Sequence, residues 1–152
     1  MKFEGQITVN APRAEVYAVL SDIDGFAALV DGLGEVVHGS DGQVEATFTT
    51  KVAYMSFTFK VSIVFTHLEA PETLTARIEG KPLGIIGQFS AVSTSVLSDL
   101  GGSTLIAYHI NASLMGKLGS VGQPVLQSKA RDMEKQFEKN LLRRFNTKTP
   151  AL

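Results

Sequence analysis

The sequence predicts an α+β fold in which one curved antiparallel sheet wraps around a long C-terminal helix, with two short helices after the first strand. Three observations predict it. Residues 2–9 alternate apolar and polar side chains, residues 35 to about 114 repeat that two-residue period between turn signals, and the period then lengthens to that of an amphipathic helix. A sheet with one apolar face must cover it, and the terminal helix is the only remaining element long enough to do so. One helix is about 10 Å across, too narrow to fill so broad a concavity. The arrangement therefore predicts a cavity between sheet and helix.

In the first strand Phe3, Gly5, Ile7 and Val9 share one face, and Lys2, Glu4, Gln6 and Thr8 the other. Asn10-Ala11-Pro12 ends it, and proline suits the first turn of a helix because its fixed φ is already helical and its missing N–H has no partner there. Val16, Tyr17, Val19 and Leu20 give that helix its apolar face. Ser21 or Asp22 can cap a second short helix reaching Leu29 and Val30, with Asp24-Gly25 a possible interruption, and Asp31-Gly32-Leu33-Gly34 reads as a turn.

A meander follows, with turns expected at 39–42, 69–72, 80–84 and 99–102. In its best strand Phe57, Phe59, Val61, Ile63 and Phe65 alternate with mostly polar residues, so one face is buried and the other wet. Val44, Ala46, Phe48, Thr50 and Val52 form a similar set, as do Leu74, Ala76 and Ile78, and then Ile106, Tyr108, Ile110, Ala112 and Leu114. From about 114 to 145, Leu118, Val121, Val125, Ala130, Met133, Phe137 and Leu141 recur at helical spacing, with Pro124 expected to kink the helix or mark its effective start. One domain is expected over 1–146, with a flexible tail at 147–152.

The composition narrows the function. With 152 residues, 44% hydrophobic and 19% charged, the chain is a folded single domain and neither a disordered nor a fibrous one. The absence of cysteine rules out disulfides, zinc-thiolate clusters and thiol nucleophiles. Fourteen basic against fifteen acidic residues give a net charge of −1, which argues against a nucleic-acid partner held by phosphate neutralisation. Without an apolar N-terminal core or a run of about 20 apolar residues, a cytoplasmic protein is expected.

No catalytic constellation stands out. His38, His67 and His109 do not cluster, and no metal site is expected. Asp22 and Asp24 read as cap and turn residues, which leaves Asp31 as the least explained carboxylate. Gly80, Gly84 and Gly87 fit no phosphate loop, and Gly84-Ile85-Ile86-Gly87 reads as an apolar hairpin tip. Gly116, Gly119 and Gly122 would lay a smooth strip along the start of the long helix. Lys129, Arg131, Lys135, Lys139, Arg143, Arg144 and Lys148 outnumber Asp132, Glu134 and Glu138 there, a solvated face or a contact for an anionic surface. The inward aromatics Phe48, Phe57, Phe59, Phe65 and Tyr108, with the hydroxyl of Thr50 and those of Ser93 and Ser95 if their register allows, suit a flat, partly polar lipophile.

The order of elements, together with Val9-Asn10-Ala11-Pro12-Arg13-Ala14-Glu15-Val16-Tyr17, resembles the START-like helix-grip (START/Bet v 1-like, SRPBCC) superfamily of lipophilic-ligand binders. More narrowly it is similar to the family of the carbon monoxide dehydrogenase G-subunit (CoxG). The matching stretches are Lys2-Phe3-Glu4-Gly5, Ala11-Pro12, Glu45-Ala46-Thr47, Phe57-Thr58-Phe59-Lys60, Leu68-Glu69-Ala70-Pro71-Glu72, Glu79-Gly80-Lys81, Thr104 to Tyr108, and Gly116-Lys117-Leu118. The chain departs from the family at Tyr17, where a bulky Trp is frequent, and at Asp31-Gly32, where Pro-Gly is frequent.

The resemblance implies a small accessory protein of a molybdenum hydroxylase of the carbon monoxide dehydrogenase type, holding a quinone or lipid without any cofactor. The expected lining is Phe48, Thr50, Phe57, Phe59, Val61, Ile63, Ile78 and Tyr108 from the strands and Leu118, Val121 and Val125 from the helix, with Val30, Asp31, Ile85 and Ile86 at the mouth. Transient contact with the inner membrane is a further expectation. Two other readings stay open: an enzyme, cyclase or hydratase-like, using Asp31 or Tyr108 as acid or base, and an assembly factor with a filled interior.

Overall fold

The computed structural model describes residues 1–39, 42–52 and 54–146, apart from the side chains of Leu118, Ser120 and Asn146. The expected tail at 147–152 lies outside the described residues. Strand β1 (Lys2–Val9) leads into helix α1 (Arg13–Ser21), with Pro12 at the N-cap position, and helix α2 (Ile23–Ala27). The strands β2 (Val37–His38), β3 (Val44–Val52), β4 (Met55–Glu69), β5 (Thr73–Pro82), β6 (Gly87–Asp99) and β7 (Thr104–Gly116) follow. A 3₁₀ turn, Lys117–Ser120, then precedes helix α3 (Gln123–Asn146).

The seven strands form one antiparallel sheet in the order β1-β7-β6-β5-β4-β3-β2. Each neighbour is the next strand in sequence, except that β1 returns to pair with β7. A two-residue period forces each strand's apolar set onto one side. The register aligns those sets: Phe48 faces Phe59, Ile63 faces Ile78, Ile78 faces Ala91, and Ile106 faces both Leu97 and Ile7. Between Phe65 and His67 the β4–β5 register shifts, an irregularity of the kind that adds local bend and twist to a sheet.

The helical connection is tied down by specific groups. Tyr17, buried on α1, donates its hydroxyl to the Thr73 carbonyl at 2.9 Å, and so anchors the helix to the start of β5. Asp22 caps α2 by accepting from the Gly25 N–H at 3.3 Å, whereas the Ser21 hydroxyl turns back to the Tyr17 carbonyl at 2.7 Å. The second helix is shorter than expected: it ends at Ala27, and Gly25 lies inside it without breaking it. Thr104, fully buried, donates to the Ala11 carbonyl at 2.8 Å and satisfies what would otherwise be an orphaned polar pair.

The long helix begins later than the sequence pattern implies. β7 runs to Gly116, and Pro124 occupies the first turn of α3, where its missing N–H costs nothing. The expected glycine strip is therefore not on a helix. Gly116 has φ +70°, and a Cβ there would stand 2.7 Å from Gly87 Cα, so this glycine lets β7 close against the β5–β6 hairpin. The apolar periodicity before residue 123 belongs to a strand end and a 3₁₀ turn, whose three-residue repeat imitates a helix over one or two turns.

Two apolar clusters form the interior. The first joins β1, α1 and the C-terminal half of α3 through Ile7, Val9, Val16, Leu20, Leu97, Ile106, Leu141 and Phe145. The second joins β3, β4 and the β5–β6 hairpin through Val44, Phe59, Val61 and Ile63. Leu141 is completely buried, whereas Val125, near the other end of the same helix, is 38% exposed. Replacing Leu141 with Ala should remove about 3 kcal/mol of stability, and Val125→Ala under about 0.5 kcal/mol, as read from urea unfolding at equal m-value.

Candidate functional site

The concave face of the sheet is unevenly filled. Phe48, Phe57, Ile78, Phe89, Ile110 and Leu114 all point to the inner side, yet each keeps part of its surface accessible. On α3 the pattern is the same, because Leu126, Ala130 and Met133 are only half-buried while Leu141 and Phe145 are sealed. The helix is held at its C-terminal half. Asn140 donates to the Leu29 carbonyl at 2.9 Å and to Asp31 Oδ1 at 3.0 Å, and Phe137 packs on Phe26 with ring centroids 5.6 Å apart. Before Glu134, whose side chain meets the Tyr108 hydroxyl, no comparable fastening is seen among the described residues of the helix, where Val125 is exposed and Leu126 and Ala130 are half-buried.

Side-chain size explains where the room lies. Between the two clusters the inner face of the middle strands carries Ala76 and Gly80 on β5, Ala91, Ser93 and Ser95 on β6, and Ala112 on β7. These small groups form a low floor. At one side stand the phenylalanines: Phe59 lies 6.1 Å from both Phe48 and Phe57 and 6.4 Å from Phe89, centroid to centroid. Gly80 is needed there, since a Cβ would come within 2.7 Å of the Phe89 ring. At the other side stand Phe65, Tyr108 and Phe137 of the first cluster.

Tyr108 is the one strongly perturbed titratable group among the described residues. Its ring crosses β1 above Gly5, where a Cβ would collide with the phenol oxygen, and its hydroxyl reaches Glu134 on α3. Burial, then the negative charge of Glu134 and the hydrogen bond to it, then the charge of Glu138, push the phenol up to about 12.

The residues expected to line the site are divided by this geometry. Phe48, Phe57, Phe59, Val61, Ile63 and Ile78 gather in the second cluster, and Thr50 sits on the same face opposite Phe57. Tyr108 belongs to the opposite wall, because β5 and β6 separate β7 from β4. Val121 precedes α3, Val125 is exposed, and the side chain of Leu118 lies outside the described residues. At the expected mouth, Val30 is half-buried and Ile85 packs against the phenylalanines, whereas Ile86 is exposed and Asp31 is engaged by Asn140.

Sequence reasoning puts Leu114 on the inner face of its strand without counting it in the lining, and it leaves out Phe89 because the serines and alanine near it weaken the alternation of β6. It also misses Asn140, a polar residue among charges. The register places Ser93 and Ser95 on the inner face, opposite Ile110 and Tyr108. His38 contacts Asp24 at 3.0 Å, His67 contacts Glu69 at 3.3 Å, and no group of metal-ligating side chains exists among the described residues. An open groove of about 330 Å³ lies on the outer face, between Lys2, Arg77, Glu79, Ser90, Asn111 and Ser113. Its charged and hydroxylic lining differs in kind from the inner face.

A family model described as the carbon monoxide dehydrogenase G-subunit (CoxG) matches residues 5–146. The chain belongs to the CoxG family. Solved structures agree on the fold alone. A conserved protein from Geobacillus kaustophilus superposes on this CoxG chain with a TM-score of 0.87 at 18% identity, covering 97% of this chain and 96% of that one. A START superfamily protein from Mycobacterium smegmatis gives 0.67 at 13% identity, with 97% and 99% covered. The Zhui aromatase/cyclase from Streptomyces sp. R1128 gives 0.66 at 16% identity, with 99% and 96% covered. No curated protein matches the sequence at a significant level. In this CoxG chain, no helix among the described residues is long and apolar enough to cross a membrane.

The Tyr108 environment makes a pH-dependent prediction. A phenol whose folded pKa of about 12 exceeds the ordinary 10 holds its proton longer in the folded state. Its stabilising contribution is complete below pH 10 and is lost as pH rises towards about 12. Unfolding midpoints should therefore fall across that window, and Tyr108→Phe should remove the phenolate absorbance step that titrates near 12.

Proposed function

We propose that this CoxG-family chain is a non-enzymatic carrier that holds a lipophilic molecule, a quinone foremost, between its sheet and α3. It would serve a molybdenum hydroxylase of the carbon monoxide dehydrogenase type, an association that the family description suggests, and meet that redox partner or a membrane transiently. The observation that carries the reading is the accessible apolar surface on the concave face, where phenylalanines stand over a floor of small residues. Burial of a ligand's apolar area there supplies about 25 cal/mol per Å² before the entropy of binding is subtracted. The hydroxyls of Ser93 and Ser95 make no side-chain hydrogen bond among the described residues, and can donate to a quinone's carbonyl oxygens.

The competing readings fare less well. The fold is shared with a protein described as an aromatase/cyclase. An acid or base for such chemistry needs a pKa near working pH, and Tyr108 is pushed away from it, up to about 12. Asp31 is exposed and paired with Asn140. A filled assembly factor would not leave inward phenylalanines accessible.

Mass spectrometry of an organic extract of the purified chain should reveal a retained lipophile, and a quinone titration should saturate. Ser93→Phe, which raises the floor, should weaken quinone binding at least tenfold while costing less stability than Leu141→Ala. Undiminished binding by that variant, or no binding by the native chain, would rule the carrier reading out.

A further inference from the structure

The open groove of about 330 Å³ lies on the outer side of the sheet, away from the concave face. Strand register builds it from two adjacent cross-strand rows. Lys2, Asn111, Val92 and Arg77 stand in one row, on β1, β7, β6 and β5 in turn, and Ser113, Ser90 and Glu79 stand in the next, on β7, β6 and β5. All seven line the groove. The short side chains of Ser90, Val92 and Ser113 keep its middle low between the long ones of Lys2, Arg77 and Glu79.

Its polar groups are left open by the protein itself. Lys2, Arg77, Glu79, Ser90, Asn111 and Ser113 make no side-chain hydrogen bond or ion pair among the described residues. Elsewhere on the same face hydroxyls meet across strands, Thr75 with Thr94 at 3.3 Å and Thr49 with Thr58 at 3.4 Å. Opposite charges set directly across from each other stabilise a sheet. Here Arg77 stands between Val64 and Val92, and Glu79 between Ser62 and Ser90, so the register denies each charge a facing partner. Lys2 and Arg77 are three strand spacings apart, about 14 Å between backbones, a span that two long side chains and a small ligand can fill.

We propose that this outer groove binds a small sugar phosphate. Lys2 and Arg77 supply two positive charges and Asn111 an amide donor for the phosphate oxygens, and the planar fork of a guanidinium matches that group. Glu79 is an acceptor that repels a bare phosphate and receives sugar hydroxyls, while Ser90 and Ser113 both donate and accept. Val92, 41% exposed at the centre, gives the C–H face of a sugar ring its apolar contact. No aromatic side chain lines the groove to stack a base, which selects a sugar phosphate over a nucleotide. The volume falls at the small end of the roughly 300–1,000 Å³ of ligand pockets, which suits a single ring. The site is separate from the concave face and stands without the carrier reading.

The test is titration of the isotope-labelled chain with glucose-6-phosphate, glucose and inorganic phosphate, followed through backbone amide chemical shifts. Glucose-6-phosphate should saturate, shift the amides of Ser90, Val92, Asn111 and Ser113, and bind at least tenfold tighter than glucose or phosphate alone. Arg77→Gln should weaken it about tenfold with an unchanged unfolding midpoint, and Val92→Phe, which fills the middle of the groove, should weaken it as much. Glu79→Ala should narrow the preference for the sugar phosphate over inorganic phosphate. Lys60→Gln, on the same face but opposite Lys81 and outside the groove, should leave binding as it is in the native chain. Absence of saturation, shifts confined to other residues, equal binding of glucose, or a loss on Lys60→Gln as large as that on Arg77→Gln would each overturn the proposal.

Discussion

One geometric constraint governs the molecule: a seven-stranded sheet exposes more apolar concave surface than a single helix can cover. The helix does not divide itself evenly over that surface. Its C-terminal half is fastened by buried Leu141 and Phe145, by the Phe26–Phe137 contact and by the two hydrogen bonds of Asn140. The half that begins at Gln123 is left resting over accessible side chains. Firm packing and accessible apolar surface are thereby assigned to different ends of one element. The tight end consists of large, interlocked apolar groups, and in the other half Val125 is exposed while Leu126, Ala130 and Met133 stay half-buried.

That division also explains why the interior is two clusters and not one. Continuous packing across the middle strands would require bulky residues where Ala76, Ala91, Ser93, Ser95 and Ala112 stand. Cavities in a protein interior are costly because their walls forfeit dispersion contacts. A guest that restores those contacts is favoured by the same terms that disfavour the void. The hydroxyls on the floor would give such a guest one polar edge to align against, and the phenol of Tyr108 on the opposite wall is neutral at physiological pH like any tyrosine, with burial and Glu134 extending that neutral range upward. The CoxG family assignment and this physical reading of the concave face point the same way.

Much of this is legible in the residues. The strict alternation in β1, β3 and β4 places Phe3, Val44 and Phe59 on the inner side, because a strand's period leaves no other choice. Where both members of an alternating pair are small or hydroxylic, as in β6, alternation carries no signal, and Phe89 escapes notice. Before α3 a 3₁₀ turn imitates helical spacing, so that the glycines at 116, 119 and 122 resemble a helix surface although they end a strand and flank or form a turn.

Local chemistry along the chain was enough for the sheet, the terminal helix, the capping of α2 by Asp22 and the family, because each depends on near neighbours or on order. Which aromatics meet, where α3 is fastened and which polar side chains share the outer groove depended on strand register and on the return of β1 to β7. Those are long-range pairings. Their energies arise only when residues as distant as Leu29 and Asn140, or Thr58 and Leu83, are brought together, so no local pattern records them.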